Sequence, residues 1–323
     1  MSCLVVTLCF VYCVQLYFEK EGVPYALLAG FFLGIIIIIR YYTAVIIFFP
    51  FFAWIVYQYR LKAIAPLFWI GIGTLPPLGY LLWYNYSITG SAFVPVTVWA
   101  YQNEALGFVK GHSLLKGVEH VIRWIFMFLY WCSPALLILY VVVLWKKIRS
   151  RPERIRRPQD YLFILLVIGY FFYYEIGGNQ YGPRFFFEAL PFLTLFVVDR
   201  ILDYRRRWMV AMFLAGLAVA VIKIPFIAHR EHRIIEERQD IFTLSERAGL
   251  KNAVVLVSSH VSVTRPMPIG DLLRNDVDYS NSVLYARDLP GRNEELFSFY
   301  PDREFYRYER SPGHVEGTLV RIR

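Results

Sequence analysis

The stretch Gly34-Ile-Ile-Ile-Ile-Ile-Arg-Tyr-Tyr-Thr43 sets a guanidinium directly after five isoleucines. An ionisable group at such a position must reach water or an anion, so it is a candidate functional group by default. The problem recurs in Gly177-Gly-Asn-Gln-Tyr-Gly-Pro-Arg-Phe-Phe-Phe-Glu-Ala-Leu-Pro-Phe-Leu193, where Arg184 and Glu188 stand between two apolar runs after a Gly-Pro turn. Whether these arginines lie in membrane or in water decides the fold.

The surrounding composition favours membrane. The chain has 323 residues, 57% of them hydrophobic and 18% aromatic, with a mean hydropathy of +0.44; soluble domains run at roughly 45 to 50% apolar. Apolar blocks cover Cys3 to Tyr17, Pro24 to Ile39, Thr43 to Tyr57, Ile64 to Trp83, Val121 to Trp145, Tyr161 to Ile176, Glu188 to Val198 and Trp208 to Ile227. The expectation is an all-α polytopic membrane domain over residues 1–227, with about eight transmembrane helices. An exterior loop is expected over 84–120. After Ile227 the composition turns polar, and strands are expected at Ala253 to Val257, Ser282 to Ala286, Glu304 to Glu309 and Gly317 to Ile322, with a helix at Asn293 to Phe299. Residues 228–323 therefore read as a small soluble α/β domain.

Charge supplies an orientation. The net +9 belongs to residues 1–226, with 20 Lys+Arg against 10 Asp+Glu, whereas residues 227–323 carry 14 against 15. The surplus gathers at Arg60 and Lys62, in Lys146-Lys-Ile-Arg-Ser-Arg-Pro-Glu-Arg-Ile-Arg-Arg157, and at Arg205-Arg-Arg207. With eight crossings these loops share one side, which the positive-inside rule makes cytoplasmic. The expected location is thus the cell's inner membrane, multi-pass, with the polar tail exterior or periplasmic. Nucleic-acid binding is not expected, because the basic runs are already accounted for by topology. Met1 would begin outside, with no cleavable leader in sight. Four cysteines in apolar runs suggest packing rather than disulfides or a thiolate metal site.

Arg40 and Arg184 together favour a lipid phosphate as the anion, since a planar fork of donors holds phosphate in two places at once. The alternative for Arg184 is an interfacial arginine paired with Glu188 one turn on. Glu175, Asn179, Gln180 and Tyr181 offer polar groups suited to sugar hydroxyls, and equally suited to capping a broken helix. Glu104 and His112 are the weak candidates for acid-base work in the long loop. No phosphate-binding glycine loop, dinucleotide fingerprint, zinc-protease pair or nucleophile elbow occurs.

Four pieces, in this order, carry a resemblance: Ala29-Gly-Phe-Phe-Leu-Gly34 leading to Arg40; Tyr84-Asn-Tyr-Ser-Ile-Thr-Gly-Ser91; Leu106-Gly-Phe-Val-Lys-Gly-His112; and Tyr181-Gly-Pro-Arg-Phe185 leading to Ala189-Leu-Pro191. They resemble the polyprenyl-phosphate-dependent GT-C glycosyltransferases of the protein mannosyltransferase, aminoarabinose transferase and RgtA-like group. The resemblance implies Arg40 and Arg184 at the phosphate of a polyprenyl-phosphate sugar donor, with Tyr84, Asn85 and the loop to His112 bordering the substrate cavity. It implies membrane lipid and a glycan, lipid or protein acceptor as partners, and a divalent metal in some members. The acidic exterior loop of that family has no counterpart in this chain, which then reads as the C-terminal portion of such an enzyme. A transport subunit for a lipid-linked glycan, or a non-catalytic remnant, are the alternatives.

Overall fold

The computed structural model describes residues 2–96, 98, 111–150, 158–174, 185–258, 274–276, 278–311, 314 and 316–323. The chain divides into two compact units, Met1–Val221 and Ile222–Arg323.

Unit 1 is helical. Its elements are α1 (Ser2–Lys20), α2 (Val23–Tyr59), α3 (Ile64–Thr89), α4 (Leu114–Trp131), α5 (Pro134–Ser150), α6 (Leu162–Phe171) and α7 (Leu190–Tyr204), with α8 (Arg207–Arg247) starting here and continuing into unit 2. Short 3-10 turns occupy Arg60–Ala63, Pro158–Tyr161 and Phe187–Ala189. Local chemistry sets several ends. The Ser113 hydroxyl caps α4 by accepting from the Lys116 N–H, as N-cap serines do. Gly90 ends α3 in the left-handed region at φ 74°, where a glycine costs nothing.

The α2–α3 pair is the tightest contact in this unit. A Cβ at Gly30 would sit 1.9 Å from the Ile70 carbonyl oxygen, and one at Gly73 would sit 2.0 Å from that of Leu27. Only glycine lets the two backbones meet there, the same device that brings helices together in apolar surroundings. Thr74 closes the crossing by donating to the Gly30 carbonyl at 3.0 Å. Two apolar clusters fill the unit, one built around α1, α2 and α6 and one around α5 and α7.

These elements overturn the eight-crossing expectation. Among the described residues, three helical stretches are long and apolar enough to cross a membrane: Cys3–Lys20, Val23–Thr89 and Arg207–Arg247. The number rises to four if the pair α4 and α5, bent by 120°, is taken together. The blocks Pro24 to Ile39 and Thr43 to Tyr57 are the two arms of α2, which is kinked between them at Arg40, where the backbone leaves helical geometry without opening into a loop. The helices α6 and α7, with 10 and 15 residues, reach only about 15 and 22 Å at 1.5 Å per residue, against a hydrocarbon core of about 30 Å. The expected exterior loop over 84–120 is helix from Tyr84 as far as Thr89 and again from Leu114, where α4 begins.

The orientation fails for the same reason. Assigning one side as cytoplasmic and the tail as exterior depended on the parity of eight crossings, so the multi-pass inner-membrane location is not kept. Lys147 shows the weakness directly. Placed by sequence in a basic cytoplasmic run, it is buried and pairs with Asp160 at 2.5 Å, beneath the Tyr140 hydroxyl that donates to the Asp160 carbonyl.

Unit 2 holds a four-stranded sheet in the order β2-β1-β3-β4. The strands are β1 (Ala253–Val257), β2 (Val283–Arg287), β3 (Glu304–Glu309) and β4 (Thr318–Arg321). The central β1 runs parallel to both β2 and β3, and β4 is antiparallel to β3. All five residues of β1 are buried, as the continuous run Ala-Val-Val-Leu-Val requires of a strand covered on both faces. One face packs Ile241, Phe242 and Leu244 of α8; the other packs Leu296 and Phe297 of α9 (Asn293–Phe299). The helix α8 carries Pro225 and runs through the expected boundary at Ile227 without a break.

Candidate functional site

The site is built on one irregular residue. Within α2, Arg40 leaves helical geometry at φ −156° and ψ 85°. No proline stands at the break; Pro50, the helix's internal proline, is ten residues on. At the break the Arg40 Nη1 donates to Glu188 Oε1 at 3.0 Å, across 148 residues of chain. Glu188 lies on the Phe187–Ala189 turn with its side chain 3% exposed, against 25% for Arg40. Burial pushes the Glu188 carboxyl above the usual carboxylate range, while Arg40, a backbone hydrogen bond, the Cys3 side chain and the amino-terminal charge pull it back.

Aromatic rings surround this pair. The Arg40 guanidinium lies over the Phe185 ring, 5.5 Å from its centroid, a cation–π arrangement favoured where water is scarce. Phe185 stacks on Tyr170 at 4.2 Å, and Tyr42 stacks on Tyr173. Two hydroxyl contacts fasten the helix just past the break: Tyr42 donates to the Gly169 carbonyl, and the Thr43 and Tyr170 hydroxyls bond to each other. The irregular turn is thus held from α6 on one side and from Glu188 on the other.

A cavity of about 660 Å³ opens at this turn, walled by Ile37–Tyr42 of α2, by Tyr80, Leu81, Tyr84 and Asn85 of α3, by Pro95 and Val96, and by Tyr170, Tyr173 and Phe185. Its volume falls within the range of about 300 to 1,000 Å³ usual for small-molecule sites, and aromatic walls with a few polar groups, here Arg40 and Asn85 among the described residues, are the usual lining. Tyr80 and Tyr84 stack with ring centroids 6.4 Å apart. Asn85 is 5% exposed and donates from Nδ2 to the Ala92 carbonyl at 3.3 Å, which ties down the chain after α3.

Of the residues singled out from sequence, Arg40, Tyr84 and Asn85 line this one cavity. His112 does not; it is buried, with Nε2 at 3.0 Å from the Phe171 carbonyl and its ring 5.3 Å from that of His120. Glu104, Glu175, Asn179, Gln180, Tyr181 and Arg184 lie outside the described residues. The sequence reading offered Arg184 as a partner of Glu188, a pairing that lies outside the described residues; among those described, Glu188 pairs with Arg40. It also missed Tyr42, Tyr80, Tyr170 and Tyr173. Charge gave half of the signal: Arg40 is an isolated ion in an apolar run, and buried ions are found paired, but the nearby Arg184 already offered Glu188 a local partner. Among the described residues no group of three or more His, Cys, Asp or Glu stands together to hold a metal, so the divalent ion implied by the resemblance has no ligand set there.

No family model, no curated protein and no solved structure matches this chain. The glycosyltransferase reading required a polytopic membrane domain with an exterior active site. With three helical stretches, or at most four, able to cross a membrane among the described residues, that topology is absent, and neither sugar transfer nor its transport or remnant alternatives are retained.

Proposed function

We propose that unit 1 binds an amphiphile whose phosphate-bearing head meets Arg40 and whose apolar chain lies against the aromatic and isoleucine walls of the cavity. The observation that carries this reading is the break in α2, which leaves a guanidinium at the wall of a cavity whose described lining is mainly aromatic and aliphatic. An arginine fork suits phosphate geometry, and low-dielectric walls strengthen each charge-assisted hydrogen bond. Isoleucines 37 to 39 and the faces of Tyr80 and Tyr84 suit a branched hydrocarbon. The motifs that resemble polyprenyl-phosphate-dependent enzymes supply the chemical class, a polyprenyl phosphate or its glycosylated diester. The apolar helical stretches would let such a ligand arrive from lipid.

The test is equilibrium binding of farnesyl phosphate to the full chain in detergent, beside farnesol as the phosphate-free control. Saturable binding of the phosphate, with farnesol far weaker, is expected. Arg40→Gln should weaken the phosphate by about 1.5 to 3 kcal/mol, the usual range for a hydrogen bond to a charged group, or roughly ten- to a hundredfold. Equal affinity for farnesol, or an Arg40→Gln variant that binds as wild type, would contradict the reading.

A further inference from the structure

The partner of Arg40 carries a second consequence. Among the described residues Glu188 makes its ion pair with Arg40 on α2, feels the amino-terminal charge more weakly, and makes no hydrogen bond through Oε2. Among the described residues the other titratable side chains facing it are Cys3 from α1 and Tyr170 from α6. Its turn also packs on α7, whose first residues Leu190 to Leu193 carry no ionisable group. A phosphate entering the cavity at Arg40 would share that guanidinium with the buried Glu188 carboxylate. Two like charges sharing a buried site do not both stay ionised; one of them neutralises. A phosphodiester head keeps its charge across the neutral range, so the carboxylate is the group that yields.

Resting on the phosphate-binding reading above, we infer that the head is taken up together with a proton: Arg40 passes its charge from Glu188 to the phosphate, and Glu188 takes one proton from solvent onto Oε2. No bond other than O–H forms, and the site keeps the same net charge with ligand as without it. Burial already biases Glu188 towards the protonated form, in the direction the exchange needs. By linkage, a ligand that binds with a proton loses affinity as pH rises, with a limiting slope of about tenfold per pH unit between the carboxyl's free and bound pKa values. The consequence is a site that holds its ligand at acidic pH and releases it as the pH rises.

The experiment is calorimetric titration of the full chain with a farnesyl phosphodiester between pH 5 and 9, repeated in two buffers of different ionisation heat. Net uptake of about one proton and affinity falling with pH are expected in wild type. Glu188→Gln, nearly the same shape and still an acceptor for Arg40, should bind without uptake, with a flat pH profile and tighter than wild type at the alkaline end. PH-independent binding with no uptake in wild type overturns the proton linkage and leaves the phosphate site standing. No binding at any pH overturns both. A parallel titration with inorganic phosphate, taken as the difference between wild type and Glu188→Gln to remove the ion's own titration, separates the two sources. Linked binding of the diester alone supports the lipid source, and linked binding of inorganic phosphate alone overturns it.

Discussion

At the scale of single residues, the buried ions are the most exacting part of the molecule. Lys147 and Asp160, with side chains 4% and 8% exposed, neutralise each other, and the Lys147 ammonium also lies over the rings of Tyr161 and Phe196. Asp160→Asn removes a buried, charge-assisted hydrogen bond and should cost about 1.5 to 3 kcal/mol; a fall in thermal midpoint well beyond that of an exposed control such as Glu119→Gln checks it. Tyr308 makes a milder case in unit 2. It is 1% exposed and donates to Asp240 at 2.7 Å, an acceptor also bonded by the Gly317 N–H. Burial, then the Asp240 hydrogen bond, hold its phenol above the usual range. A folded pKa raised above the unfolded value near 10 stabilises below that pH and is lost as pH climbs through it. Tyr308→Phe should therefore cost about 1 kcal/mol at neutral pH and show a shallower loss of stability above pH 10. Unfolding midpoints at pH 7 and 11 read both effects.

At the scale of elements, the contact between α2 and α3 gives the sharpest contrast. Gly30→Ala or Gly73→Ala would drive a Cβ into a carbonyl oxygen about 2 Å away, and overpacking of that kind costs about 1 to 3 kcal/mol. Gly71, two residues before Gly73 on the same helix, has nothing within 4 Å of its would-be Cβ. Gly71→Ala should stabilise by roughly 0.5 to 1 kcal/mol, since alanine holds a helix better. Opposite signs in thermal midpoint for positions 71 and 73 are the expected result; a shared sign would remove the crossing from the account. Sequence was a good guide to elements whose pattern is local. The strand Ala253–Val257 and the helix Asn293–Phe299 lie where periodicity and turn residues put them, and β2 is displaced by one residue. It failed where a polar residue is satisfied far along the chain. Arg40 read as a boundary between spans, because nothing within ten residues could pay for its charge; the chain does break helical geometry there, but Glu188, 148 residues on, holds the arginine at a kink rather than in a loop. Lys147 misled for the same reason, its acid lying beyond the basic run it was grouped with.

At the scale of the molecule, apolar composition was legible and its arrangement was not. Hydropathy marks a block as buried in something, but lipid and protein neighbours give the same signal, so α6 and α7 read as spans although they are too short to be so. Two units, each with its own core, should unfold as two transitions when the full chain is scanned by calorimetry in detergent, and the Tyr308→Phe variant should move only one of them. A single transition displaced as a whole would show that the units fold together. Part of the candidate site was legible, since Arg40, Tyr84 and Asn85 were singled out and share a cavity. Its aromatic cage was not, because Tyr42, Tyr170 and Phe185 converge only through tertiary contacts. The central claim, that a phosphate-bearing amphiphile occupies this cavity, is tested most directly by photolabelling the full chain with a photoreactive farnesyl phosphate and mapping the label. Label on 37–42, 80–85 and 170–173, displaced by excess farnesyl phosphate and lost in Arg40→Gln, is the predicted result. Label spread over other segments, or unchanged in the variant, would contradict it.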